Sequence, residues 1–130
     1  MEQNIEELKY PIGRYQKPEQ CTPGLIKEWI ATLKVLPAWM DACIENLDEA
    51  QLLVPYREGG WNTQEVIHHV ADSHMNAYIR MKLGLTEDEP LVKPYDEKAW
   101  AELPDMRLTP LETSLRLIDA LHERWVILLR

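Results

Sequence analysis

Apolar side chains recur at helical spacing along two long segments of this chain. Steps of three and four residues separate Trp29, Leu33, Leu36, Met40, Cys43 and Leu47 in the first. The same steps separate Leu111, Leu115, Ile118, His122, Trp125 and Leu129 in the second. Such a repeat places apolar residues on one face of an α-helix. A third helical pattern lies between them, and no segment alternates apolar and polar residues as a strand would, so we predict an all-α fold.

Start signals indicate where the three long helices begin. The dipeptides Thr22-Pro23 and Thr109-Pro110 each combine an N-cap residue with proline at the first helical position. Asn62, with Glu65 three residues later, resembles a capping box. Together with the apolar repeats, these signals predict helices over 22–48, 62–84 and 110–130.

Prolines and charged segments mark the places where the helical pattern is interrupted. Pro37 lies inside the first predicted helix, removes a backbone hydrogen bond with Leu33, and should bend or break the helix. A short helical turn around Trp100 is predicted within residues 96–103. Residues 1–20 show no sustained period, so we expect an extended N-terminal arm.

The expected anchors of that arm are Tyr10, Ile12 and Tyr15, lying against the body of the protein. At its other end, the chain reaches Arg130 without a glycine or another C-cap for the third helix. Three apolar faces with such an end suggest an up-down four-helix bundle with three of its four helices in this chain. A three-helix protein, or a dimer that completes the bundle, are the alternatives.

Composition narrows the class of protein. A length of 130 residues predicts a single domain, 1–130, and 45% hydrophobic residues are globular composition. The net charge of −8 disfavours nucleic acid and anionic membranes as partners, since affinity for both depends on Lys and Arg. No apolar run approaches the ~20 residues of a membrane span, and the start lacks the features of a secretory signal. We therefore expect a cytoplasmic location and free thiols at Cys21 and Cys43.

The second helix carries most of the candidate chemistry. On a helical wheel, four polar residues share one stripe, which we call the polar stripe: His69, Ser73, Asn76 and Arg80. A cleft wall and a solvated face would both look like this. His68 points about 100° away from His69, so a regular helix cannot bring both to one ion.

Two further histidines lie on apolar helix faces. For His74 and His122, a core histidine hydrogen-bonded to a neighbour is favoured over a ligand, because buried polar groups are normally paired. The sequence contains no HExxH, HxxxH or CxxC motif. Spacing alone therefore gives only a weak metal signal at His69.

Several stretches together resemble the YfiT branch of the DinB superfamily. They are residues 10–13 (YPIG), 55–61 (PYREGGW), 68–76 (HHVADSHMN), 80–83 (RMKL) and 94–100 (PYDEKAW). The resemblance covers essentially the whole chain. It implies a cytoplasmic, homodimeric four-helix bundle that acts as a metal-dependent hydrolase. Some relatives are instead thiol S-transferases that use bacillithiol or a similar low-molecular-weight thiol.

The resemblance also implies a metal centre on three histidines. The second histidine of the pair on the second helix maps to His69, and the other two belong to an HxxxH motif on the fourth helix, which has no counterpart in these residues. The ion would be zinc, or alternatively nickel, and it could lower the pKa of bound water to ~7 or bind a thiolate. Ser73, Asn76 and Arg80 would then orient a small-molecule substrate or stabilise negative charge.

Three other residues have secondary roles on this interpretation. Asp72 is a candidate acceptor for an imidazole N–H, although it lies off the polar stripe. Tyr95 and Trp100 either wall the pocket or cover the core, and core cover is favoured. The leading hypothesis is a metal-dependent hydrolase. The alternatives are a thiol S-transferase and a non-catalytic helical module with structural histidines.

Overall fold

The structure, a computed structural model, describes residues 4–130. Seven helices account for most of them: α1 Ile5–Lys9, α2 Pro23–Ile44, α3 Glu49–Leu52, α4 Thr63–Thr86, α5 Glu97–Ala101, α6 Asp105–Leu108 and α7 Leu111–Leu129. The only strand-like pairing in this part of the chain is an isolated antiparallel bridge between Pro55 and Asn62. No helix within it combines the length and the apolar composition needed to cross a membrane. The three long helices are those expected from the sequence.

The start signals work at two of the three long helices. The Thr22 hydroxyl accepts a hydrogen bond from the Leu25 amide, and α2 begins at Pro23. Asn62 and Glu65 form a reciprocal capping box at the start of α4. The prediction for α7 is wrong by one residue, since Pro110 itself is the N-cap and no side chain caps the helix. Proline lacks an amide proton, so it suits this boundary without a capping hydroxyl.

Helix α7 is the centre of the packing, because it lies against both α2 and α4. Its predicted apolar face is buried, and Ile118 and His122 are almost completely inaccessible. The predicted apolar face of α2 is less covered, with Trp29 exposed, and α2 and α4 make little direct contact with each other. A space therefore remains between α2 and α4.

Pro37 neither ends nor interrupts α2, which runs continuously from Pro23 to Ile44. A break at Pro37 is therefore excluded, and the alternative of a bend stays a prediction. The proline ring is buried, and the Leu33 carbonyl that it leaves without an intrahelical donor has another partner, His122 Nδ1. Tertiary contacts thus compensate for the lost backbone hydrogen bond.

The N-terminal arm differs from the prediction. Residues 1–3 lie outside the described part of the chain, and the short helix α1 follows Asn4, whose side chain caps it. Of the proposed anchors, Ile12 is 98% exposed and Tyr15 is 79% exposed, so neither holds the arm. The helical turn around Trp100 is present as α5, while α3 and α6 were not predicted.

Candidate functional site

The space between α2 and α4 is an open, largely apolar groove of about 790 Å³, here called the α2–α4 groove. Apolar side chains of both helices line it, including Leu36, Met40, Val66, Ile67 and Val70. Residues of the arm and of the loop before α4 border it, among them Pro11, Tyr56 and Trp61. The few polar groups on its walls include two imidazoles, His69 and His74. An apolar cavity with a few polar groups is the usual form of a small-molecule site.

His69 reaches this groove from α4. Its ring lies against Trp61, with ring centroids 4.7 Å apart, so the loop before α4 fixes one side of the imidazole. Neither of its nitrogens has a hydrogen-bond partner among residues 4–130, and neither nitrogen is fully buried. Both nitrogens are therefore accessible to a ligand.

The loop after α4 lies beside two other residues of the polar stripe, Arg80 and Ser73. Arg80 donates a hydrogen bond to the Lys93 carbonyl at 2.9 Å, and Ser73 is close enough to Tyr95 to affect its pKa. Burial raises the pKa of Tyr95, and the contact with Ser73 opposes that shift. Asn76 donates to the Asp72 carbonyl of its own helix at 2.8 Å. The structure therefore brings Arg80 and Ser73 to the loop, leaves Asn76 bonded to its own helix, and places only His69 of the stripe in the lining of the groove.

Asp72 and Trp100 also lie outside the groove. The Asp72 carboxylate has no hydrogen bond to an imidazole within the described residues. Burial and the neighbouring Asp105 raise its pKa, and His69 and His68 partly offset this. The rings of Trp100 and Tyr95 pack on each other with centroids 4.5 Å apart. Trp100 therefore covers the loop and does not form a wall of the groove.

His68 points away from His69, as the wheel predicts, and lies against α7. It is 3% exposed, and its Nδ1 lies 2.6 Å from the Ser114 hydroxyl. Its Nε2 is buried without a partner in the described chain. His68 is thus a core residue between α4 and α7.

His74 and His122 contact each other, which the sequence did not reveal. His74 Nδ1 lies 2.6 Å from His122 Nε2, and His122 Nδ1 lies 2.6 Å from the Leu33 carbonyl oxygen. The expectation that each is hydrogen-bonded to a neighbour fits this arrangement. Pro37 was the available signal, because a proline frees the carbonyl four residues before it. We call His74, His122 and the Leu33 carbonyl together the hydrogen-bond chain.

Comparisons with known proteins agree on one family. A sequence profile of the DinB superfamily matches residues 28–130. A protein of Oceanobacillus iheyensis, named "Putative metal-dependent hydrolase OB0782", is 54% identical over 122 residues, which are 94% of this chain and 70% of that protein. A Geobacillus kaustophilus protein, named "Putative metal-dependent hydrolase GK0616", is 47% identical over 96% of this chain and 70% of its own length.

A solved structure shows the same likeness in three dimensions. It is YfiT from Bacillus subtilis, described as "a probable metal-dependent hydrolase with an unusual four-helix bundle topology". The TM-score is 0.91 at 48% identity, over 95% of this chain and 71% of that one. The predicted all-α, YfiT-like four-helix-bundle fold is confirmed. The expectation that a fourth helix is missing is not supported, since residues 4–130 form seven helical segments and the match includes nearly all of the chain.

Proposed function

Because the chain belongs to the DinB superfamily, we propose that it is a metal-dependent hydrolase in which His69 supplies one imidazole ligand to a divalent ion. The curated relatives carry metal-dependent hydrolase in their names, which supports the reaction class. Imidazole nitrogen suits zinc, our first choice, and also nickel. The proposed substrate is a small molecule bound in the α2–α4 groove.

One observation carries the choice of His69. The protein has four histidines, and three of them use at least one ring nitrogen in a hydrogen bond inside the protein. His69 alone keeps both nitrogens free within the described chain while lining the groove. A metal ligand needs an accessible lone pair, and His69 is the histidine that can offer either ring nitrogen without breaking an internal hydrogen bond.

The residues described here do not form a complete metal centre. Among residues 4–130, no three His, Cys, Asp or Glu side chains are arranged to hold one ion. Zinc sites normally use three or four protein ligands. The fit is therefore limited to a single ligand, and we assign no catalytic step to an ion. Residues 4–130 by themselves should bind divalent metal weakly.

The side chains of the polar stripe have a supporting place in this proposal. Arg80 is already hydrogen-bonded to the loop at Lys93, and Ser73 lies near Tyr95. Asn76 is engaged with its own helix. We propose that Arg80 and Ser73 hold the loop beside α4, and that a direct role of the three side chains in substrate binding would require their present contacts to open.

A titration with Ni²⁺ tests the metal proposal on the protein as it is. Ni²⁺ is paramagnetic, so it broadens the NMR signals of imidazoles near the binding position. We expect His69 signals to broaden first, while the buried His68 and His122 act as internal controls in the same spectrum. His69→Asn should remove the effect.

Two results would contradict this proposal. One is selective broadening that persists in His69→Asn, which would place the ion elsewhere. The other is uniform weak broadening of all exposed residues, with no preference for the groove. Mg²⁺, which prefers oxygen ligands, is the control ion and should leave His69 unchanged.

We also propose a homodimer. Trp39 on the rim of the α2–α4 groove is 57% exposed, and we propose this rim, outside the substrate groove itself, as the contact surface. Exposed apolar surface commonly marks an association site.

A further inference from the structure

The hydrogen-bond chain has a direction that its first member determines. The Leu33 carbonyl oxygen can only accept, so His122 Nδ1, 2.6 Å away, must carry the hydrogen. Pro37 is the reason that this carbonyl is available, because proline has no amide hydrogen to donate to it. The chain therefore starts from a backbone acceptor inside α2.

The next link fixes the second imidazole. His122 is 1% exposed, and its ring nitrogens contact the Leu33 carbonyl and His74, not a carboxylate. With its hydrogen on Nδ1, the neutral His122 ring has a lone pair on Nε2, so His74 Nδ1 donates to it across 2.6 Å.

The last atom of the chain, His74 Nε2, belongs to a residue that lines the α2–α4 groove. With its hydrogen on Nδ1, neutral His74 has a lone pair on Nε2. No protein group among residues 4–130 bonds this nitrogen, it is not a buried orphan, and its residue lines the α2–α4 groove. Burial, with smaller contributions from His122 and His69, lowers the pKa of His74 to about 4, so the ring is neutral near pH 7.

We propose that His74 Nε2 is a preset hydrogen-bond acceptor of the α2–α4 groove, which orients the hydroxyl or thiol group of a bound ligand. His122 and the Leu33 carbonyl act as positioning groups. The ligand class is an apolar molecule with one O–H or S–H donor, because apolar side chains such as Leu36, Met40 and Val70 line the same groove as His74. The inference rests on the proposed function for the use of the groove, but its test needs no metal and no turnover.

The assignment of the hydrogen is tested first, by ¹⁵N NMR of the imidazoles in the metal-free protein at pH 7. We expect both His74 and His122 to carry hydrogen on Nδ1 and none on Nε2. His122→Gln retains a side-chain acceptor for His74 Nδ1 and should preserve the His74 tautomer. His122→Leu removes the acceptor and should give a mixture of tautomers. Hydrogen found on His74 Nε2 in the native protein overturns the inference without any variant.

The acceptor role is tested with three matched probes. Benzyl alcohol and benzyl mercaptan each combine an apolar ring with one donor, and benzyl methyl ether has the same ring without a donor. We expect the alcohol, the thiol or both to shift the His74 Nε2 resonance at least three times further than the ether at equal occupancy. Which of the two acts identifies O–H or S–H as the preferred donor. Equal shifts from all three, or no shift from any, contradict the inference.

This experiment separates the two proposals. If His69 does not bind metal but the His74 assignments hold, the proposed metal function fails and the acceptor stands. If Ni²⁺ selects His69 while His74 carries hydrogen on Nε2, the acceptor fails and the proposed function stands.

Discussion

The low pKa of His74 predicts that it weakens the fold in acid. The pKa is lowered from 6.5 to about 4, chiefly by burial. Between these two values the unfolded chain binds a proton at His74 and the folded protein does not. Stability is therefore retained above pH 6.5, falls as the pH decreases from 6.5 to 4, and changes no further at this residue below pH 4.

The magnitude follows from the size of the pKa change. A fall from 6.5 to about 4 corresponds to about 3 kcal/mol at 1.36 kcal/mol per pH unit. His74 is only half-buried, and solvent reduces such an effect. We therefore expect His74 to lower the free energy of unfolding by about 1–2 kcal/mol between pH 7 and pH 4.

Urea unfolding at several pH values measures this contribution. The matched variant is His74→Gln, whose amide does not titrate and can still donate to His122. Carboxylates and the other histidines contribute to both proteins, so the comparison uses the difference between the two pH profiles. The native protein should lose about 1–2 kcal/mol more than the variant. Parallel profiles would refute the reasoning, since they would mean that His74 titrates alike in the folded and unfolded chains.

Three other predictions concern the loops and the assembly. Gly60→Ala should destabilise the protein by about 1–3 kcal/mol, because the new Cβ would lie 2.7 Å from Arg57 Cγ and 2.9 Å from Tyr56 Cε1. The control is Gly84→Ala, in α4 with open space around it. It should raise the free energy of unfolding by up to about 1 kcal/mol, seen as a higher midpoint of urea unfolding. Arg80→Ala should speed hydrogen exchange in residues 87–96 and cost about 0.5–1 kcal/mol, and unchanged exchange would exclude the loop contact. Sedimentation equilibrium should show a dimer, and a monomer at high concentration would rule out the proposed assembly.

Local signals predicted much of the fold. Thr22, Asn62 and Glu65 specify helix starts through contacts within three residues, which a sequence shows directly. The apolar repeat of α7 predicted its buried face because a helix has a fixed period. The start of α7 was predicted one residue too early, because Thr109 and Pro110 are both acceptable N-cap residues.

Contacts between distant residues were harder to predict. The wheel separated His68 from His69, but it could not show that His74 meets His122, which is 48 residues away. A wheel gives the direction of a side chain and not its partner. For the same reason the polar stripe looked like a cleft wall, while in the structure the loop at Lys93 contacts Arg80.

The acceptor at the start of the hydrogen-bond chain belongs to the backbone, and this affects how the chain tolerates mutation. Any amino acid at position 33 supplies the same carbonyl, so substitutions there should change packing without removing the acceptor. Position 37 controls the arrangement instead, because any residue other than proline brings an amide that competes for that oxygen. The polar network that joins α2, α4 and α7 thus depends on an imino acid in α2 that has no polar side chain of its own.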